Sequence, residues 1–159
     1  MRIGILSDTH GEAWTTQQAV RTLESLGVDL LIHCGDIGPP EMIPLFSSWP
    51  CHFVFGNMDD AWTLRDAIDS AGQTCYERFG HMKLSGRSIA FMHGDDHALL
   101  RQTIRSGKWD LVCHGHTHVA AESLEGRTLV VNPGAIQRTG RPSVAIVDLA
   151  LLEVTHVSL

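Results

Sequence analysis

Short apolar runs alternate along the chain with stretches whose apolar residues recur three and four apart. Arg2 to Ser7 reads as a buried strand, and Glu12 to Leu26 places Ala19, Val20, Leu23 and Leu26 at helical spacing before Gly27. "LLIHC" predicts the next strand, Glu41 to Ser48 a short helix, "CHFVF" a strand, and Ala61 to Ala71 another helix. Strand and helix therefore alternate through the first half, the rhythm of an α/β protein. The middle differs: "HMKLSGRSIAFMH" predicts two strands joined at Ser85-Gly86-Arg87, a hairpin that brings an antiparallel part to a sheet. A helix over His97 to Ser106 follows, then strands at "DLVC", Ala120 to Leu124, "TLVV", Ser143 to Asp148 and Leu152 to Ser158. No repeat, low-complexity segment or linker interrupts this order. We expect one α/β domain over residues 1–159, with mixed sheets and helices on the outside.

Composition narrows the picture. A hydrophobic content of 43% over 159 residues supports a core without staples. The net charge of −6 argues against a basic nucleic-acid footprint, so a phosphate-bearing ligand would have to be attracted locally. Cys34, Cys51, Cys75 and Cys113 show no C-x-x-C spacing and read as buried thiols. The chain opens on a strand pattern and not on a charged leader, and no run is long enough to cross a membrane. A cytoplasmic protein is the expectation. The strand-rich carboxyl end leaves a homo-oligomer open.

Candidate chemistry collects at the ends of the strands. Five apolar runs are each followed at once by residues of metal-ligand type: "IGILSDTH", "LLIHCGD", "FVFGN", "IAFMH" and "LVCHGHTH". Ligands of α/β sheets bind beyond the carboxyl ends of strands, where loops bring separate side chains together. Asp8 and His10 stand two apart, as do His116 and His118, a spacing that points both members one way from extended backbone. Gly35, Gly56, Gly94 and Gly115 adjoin these residues, where a turn must bend sharply or pass close to an ion. Asp, Asn and His donors without thiolate suit Mn, Fe, Co, Ni or Zn in a site with open positions.

The ordered set "DTH" (Asp8 to His10), "GDIG" (Gly35 to Gly38), "GNMD" (Gly56 to Asp59), "HG" (His93 and Gly94) and "GHTH" (Gly115 to His118) resembles the calcineurin-like metallophosphoesterase superfamily. It is most similar to the small bacterial and archaeal phosphodiesterase branch, which also carries a segment like "NPG", Asn132 to Gly134. The resemblance implies two mixed β-sheets packed as a sandwich flanked by helices. It implies two divalent metal ions, manganese first, with iron, nickel, cobalt or zinc as alternatives. Asp8, His10, Asp36 and His118 would hold one ion, and Asp36, Asn57, His93 and His116 the other, with Asp36 bridging. A hydroxide shared by the ions would attack phosphorus in line, and their charge would outweigh the two carboxylates and draw in an anionic ester. The implied activity is hydrolysis of a small phosphodiester or nucleotide-like substrate. A phosphomonoesterase or dinucleoside-polyphosphate hydrolase is the second reading, and a non-catalytic interaction scaffold on the same fold the third.

One position departs from the pattern. Many relatives carry a histidine directly after the asparagine ligand, placed to stabilise the transition state or protonate the leaving oxygen, and Met58 stands there instead. General acid catalysis is typically worth ~10²–10⁴-fold, so substrates whose leaving group needs little protonation are expected. The catalytic expectations are thus Asp36, Asn57 and His93, with His97 as a substitute acid and Asp59 as a carboxylate orienting a metal-bound histidine. An exposed residue opening a helix competes for His97, and a turn or helix cap for Asp59. His114 is expected to pack or hydrogen-bond, and His33, His52, His81 and His156 to be structural. Trp49 reads as core and Trp62 as the rim of the cleft.

Overall fold

Alternate residues of short strands face opposite ways, and here that sorts the apolar side chains between layers. In the computed structural model, which describes residues 1–159, the strands are β1 (Arg2–Leu6), β2 (Leu30–His33), β3 (Cys51–Phe53), β4 (Thr74–Cys75), β5 (Phe79–Leu84) and β6 (Arg87–Met92). They continue as β7 (Leu111–Cys113), β8 (Ala120–Glu125), β9 (Thr128–Pro133), β10 (Ser143–Asp148) and β11 (Glu153–Ser158). Helices α1 (Ala13–Ser25), α2 (Ala61–Ser70) and α3 (His97–Arg105) and a 3-10 helix (Pro40–Phe46) complete the chain. One sheet has the order β11-β10-β1-β2-β3-β4 and the other β5-β6-β7-β9-β8. Each mixes parallel and antiparallel pairs, so the expected two mixed sheets are present.

Ile3 and Ile5 of β1, Ile32 of β2, Phe91 of β6, Cys113 of β7 and Val147 of β10 meet between the sheets as one buried cluster. The other faces of the same strands feed two further cores. Leu6, Leu31 and Ile146 pack under α1, α2 and the 3-10 helix with Leu23, Phe46 and Leu64. Ala90, Met92 and Val112 lie against Leu100 and Ile104 of α3. The layers thus run helix, sheet, sheet, helix. The four cysteines are free thiols, and Cys34, Cys51 and Cys113 are buried in these cores.

Two local outcomes differ from the sequence expectation. The segment read as a helix over Glu41 to Ser48 is a 3-10 helix, because Pro44 lies inside it and offers no N–H for an α-helical bond. The two-residue strand β4 was not anticipated, being too short to show alternation. The hairpin of β5 and β6 pairs in register from Phe79 with Met92 to Leu84 with Arg87, as the central turn predicts.

Register then sets up the site. Leu6 pairs with His33 and His33 with Phe53 in parallel ladders, and Phe91 pairs with Cys113 in the second sheet. The carboxyl ends of β1, β2 and β3 are therefore level in one sheet and those of β6 and β7 in the other, and helices follow β1, β3 and β6. Each of those helices is capped by an acidic side chain: Glu12 accepts from Thr15 N–H, Asp60 from Trp62 N–H, and Asp96 from Ala98 and Leu99 N–H.

Candidate metal centre

The loops after β1 and β2 are laced together by backbone bonds that prolong the ladder: Asp8 N–H to Gly35 C=O at 3.0 Å, His10 N–H to Asp36 C=O at 2.9 Å, and Gly11 N–H to Ile37 C=O at 3.0 Å. Across the sandwich, Gly115 N–H donates to His93 C=O at 2.8 Å and joins the loops after β7 and β6. Gly115 and Gly56 let these loops close on the carboxylates. A Cβ at Gly115 would lie 1.9 Å from Ser7 Oγ, and one at Gly56 would lie 2.0 Å from Asp36 Oδ1.

The closed loops bring six of the expected donors together. The ligand atoms of Asp8, His10 and His118 lie within 4.8 Å of one another, and so do those of Asp8, Asp36 and His93. Asp36 Oδ2 faces both groups, 3.7 Å from His10 Nε2 and 3.4 Å from His93 Nε2. His118 Nε2 is 3.0 Å from Asp8 Oδ1, and His116 Nδ1 is 3.2 Å from His93 Nε2. The seventh, Asn57, lies exposed on the loop after β3, and no hydrogen bond holds its side chain.

Backbone conformation at the centre departs from the extended form expected of the paired spacings. Asp8, His10, Asp36, His116 and His118 have φ between 44° and 69°, and they are five of the nine non-glycine residues in the left-handed region. Left-handed backbone at a residue with a side chain costs of order 1–3 kcal/mol, which the laced loops must hold in place. Donors two apart converge through this curl and not through a strand's alternation.

Neighbouring groups aim the imidazoles. His93 Nδ1–H donates to Cys34 C=O at 2.8 Å, and His118 Nδ1–H to Arg138 C=O at 3.3 Å, so each turns Nε2 to the centre. His116 N–H donates to Asp8 Oδ2 at 3.1 Å, leaving Asp8 Oδ1 to face inward. Asp8 Oδ1 and His10 Nε2 are buried without any hydrogen-bond partner. Such orphaned groups cost about 1–3 kcal/mol each, and a cation between them would satisfy both at once. The donor set fits a divalent metal.

Charge follows the same geometry. Burial alone would raise Asp36, but the His93 hydrogen bond, Met58 N–H and the nearby imidazoles outweigh it and hold the carboxyl at about 2. Burial would lower His93, and Asp36 raises it overall. His10 is lowered, chiefly by burial, with the charge of Arg138 adding to that effect.

Asp59 needs a correction. Its carboxylate meets no histidine; it accepts from Ile37 N–H at 2.7 Å, Gly38 N–H at 3.2 Å and Gly56 N–H at 2.8 Å. It therefore clamps the loop carrying Asp36 to the loop carrying Asn57, while the helix cap falls to Asp60. His97 opens α3 with an exposed side chain that makes no hydrogen bond, its ring 6.1 Å from that of His116. This geometry matches the helix-opening reading better than the acid. His114 is hydrogen-bonded, at 3.1 Å from Gly115 C=O, and Trp49 is buried with its indole N–H on Val28 C=O. Trp62 is exposed at the first turn of α2.

The sequence alone assigns no role to two further supports. Buried His33 accepts from Gly35 N–H at Nδ1, so its Nε2–H donates to Thr9 Oγ1 at 3.0 Å, and Thr9 in turn donates to Ile37 C=O at 2.7 Å. Asn132 of the "NPG" segment donates to Gly115 C=O at 2.9 Å and Thr117 Oγ1 at 3.0 Å, holding the loop of His116. The position of Thr9 between two ligand-type residues was a usable signal; Arg138 carries none.

Comparison with known proteins gives the same picture. Phosphodiesterase MJ0936 of Methanocaldococcus jannaschii is 28% identical over 165 residues, covering 100% of this chain and 99% of that protein. Probable metallophosphoesterase YsnB of Bacillus subtilis is 30% identical over 144 residues, covering 86% of this chain and 76% of that protein. A solved structure described as a novel archaeal phosphodiesterase superposes with a TM-score of 0.92 at 27% identity, covering 100% of both chains. Residues 1–151 match the calcineurin-like phosphoesterase superfamily domain. With the motifs in order and nearly the whole length matched, the chain belongs to the calcineurin-like phosphoesterase superfamily.

Proposed function

We propose that this phosphoesterase hydrolyses small phosphodiesters, nucleotide-like ones included, at a centre of two divalent ions. The observation that carries the reading is the pair of orphaned buried atoms, Asp8 Oδ1 and His10 Nε2, 3.7 Å apart, with an Asp36 oxygen 3.7 Å from His10 Nε2 that also faces His93. The full-length similarity to a relative named a phosphodiesterase favours a diester over a monoester.

Asp8, His10, Asp36 and His118 are assigned to one ion, and Asp36, Asn57, His93 and His116 to the other. When bound, the ions supply Lewis-acid activation of water and neutralise the phosphoryl oxygens. The residues do the positioning. Cys34 and Arg138 carbonyls fix the tautomers of His93 and His118, and Asp59 and Asn132 lock the loops on which the donors stand. Nitrogen and oxygen donors without sulfur are compatible with manganese as the working metal and also with iron, nickel, cobalt or zinc. Exposed Met58 supplies no proton, which favours diesters with good leaving groups. Trp14, Trp62 and Val119 are exposed close along the chain to site residues and offer an apolar border to a substrate group.

The test is hydrolysis of bis-p-nitrophenyl phosphate with added Mn²⁺, wild type against Asp36→Asn, with p-nitrophenyl phosphate as the monoester. Preferential diester cleavage that EDTA abolishes, and that Asp36→Asn lowers on the order of 10³-fold, supports the proposal. Faster turnover of the monoester would overturn the diester assignment.

A further inference from the structure

The loop after β9 runs directly behind the centre. Ile136 N–H donates to Ser7 C=O at 3.3 Å and Gln137 N–H to Asp8 C=O at 3.0 Å, and the next residue, Arg138, accepts from His118 Nδ1–H. Three consecutive residues are thus anchored on the loops that hold Asp8 and His118. Arg138 itself has φ 59°, a strained conformation for a long side chain, kept while its carbonyl stays on His118. Its side chain is exposed, and no carboxylate pairs with its guanidinium. With its carbonyl 3.3 Å from His118 Nδ1, the backbone of Arg138 adjoins the centre, and a long side chain rooted there can reach a group bound in it.

We propose that Arg138 is a catalytic residue whose guanidinium binds a non-bridging phosphoryl oxygen of the substrate and stabilises the charge gathering there in the transition state. This inference rests on the phosphodiesterase reading above. A guanidinium offers a planar fork of donors that suits phosphoryl oxygens, and here no acidic neighbour competes for it. It also explains how the site works with Met58. The loop after β3 brings neither charge nor proton at that position, whereas the loop after β9 carries a cation whose backbone is bonded to His118. The same loop goes on to Thr139 and Arg141, which border a groove of about 580 Å³ that also touches His118 and His156. One ester arm of a diester would leave the centre along this polar channel.

The experiment compares wild type, Arg138→Gln and Arg138→Lys as Mn²⁺-loaded protein, with Lys83→Gln on β5 as a control for net charge. Metal content, affinity for inorganic phosphate by calorimetry, and kcat and KM for bis-p-nitrophenyl phosphate are measured on each. Removing one donor to a developing oxyanion typically costs about 10²–10³-fold. Arg138→Gln is therefore expected to keep its metal, to bind phosphate at least about tenfold more weakly, and to lose about 10²-fold in kcat, with Arg138→Lys in between. Phosphate affinity and kcat both within twofold of wild type would overturn the proposal, as would equal losses in Lys83→Gln. If the wild type cleaves no diester, the functional reading fails separately. The phosphate arm then still decides for or against Arg138, and Arg138→Lys serves where Arg138→Gln does not fold.

Discussion

The two halves of the candidate centre are built to different standards. Around Asp8, His10 and His118 the donors are held or enclosed: Asp8 by His116 N–H, His118 by Arg138 C=O, and His10 by burial of its ring on a loop laced to its neighbour. On the other half, His93 is as firmly held, but Asn57 is exposed with its side chain unanchored. A preformed set binds without an ordering cost, whereas a set that must draw in a loose side chain loses part of its gain to that ordering. The protein should therefore load its two ions unequally, the Asp8 half first.

Metal titration is the sharpest way to break this comparison. Asp36→Ala removes the donor assigned to both ions and is expected to abolish binding of both, while Asn57→Ala should weaken only the second, about 10–100-fold, with the first unchanged. Two equal sites in the wild type would end the asymmetry argument.

The clamp between the halves comes next. Asp59→Ala frees three backbone N–H groups, at about 1–3 kcal/mol for each that stays buried and unpaired, partly recovered by water. A fall in Tm of several degrees, together with weaker binding of the second ion, is expected in thermal melts with and without Mn²⁺. Unchanged metal affinity would mean that the loops hold their shape without the clamp.

A smaller effect is expected from the relay under the first half. Burial, then the charge of His93, lowers His33 from 6.5 to about 3. The unfolded chain takes up this proton as pH falls below 6.5 while the folded chain stays neutral until about 3. Stability is thus whole above pH 6.5 and lost progressively across that window, by at most one proton, or about 1.4 kcal/mol per pH unit. In metal-free protein, the slope of unfolding free energy against pH between 6 and 4.5 should be shallower in His33→Asn by up to one proton. Equal slopes would show that His33 is already protonated in the fold.

The smallest change should come from His97→Ala. Its exposed side chain has no hydrogen bond, and kcat for bis-p-nitrophenyl phosphate is expected to stay within about threefold of wild type. A loss that grows with the pKa of the leaving group would restore His97 as the acid.

Much of the centre was legible in advance because it uses local chemistry. A strand ending in "SDTH" or "CGD" advertises both its element and its donors, and glycines beside them marked the tight approaches that Gly56 and Gly115 make. Roles that depend on a distant partner were not legible. Asp59 reads as a turn residue or as a support for histidine until Ile37, Gly38 and Gly56 are folded around it, and His33 gives no sign of its link to Thr9.

Periodicity and motif order alone determined the α/β class, the hairpin of β5 and β6, and which residues could act as donors. Those properties reside in single segments, where side-chain alternation and residue chemistry suffice. Only the tertiary structure decided that Asp8, His10, His116 and His118 converge through left-handed backbone, and that Arg138 lies against the centre. Left-handed strain is tolerated only when contacts from several loops enforce it, and a residue on the loop after β9 meets Asp8 only when both sheets have closed.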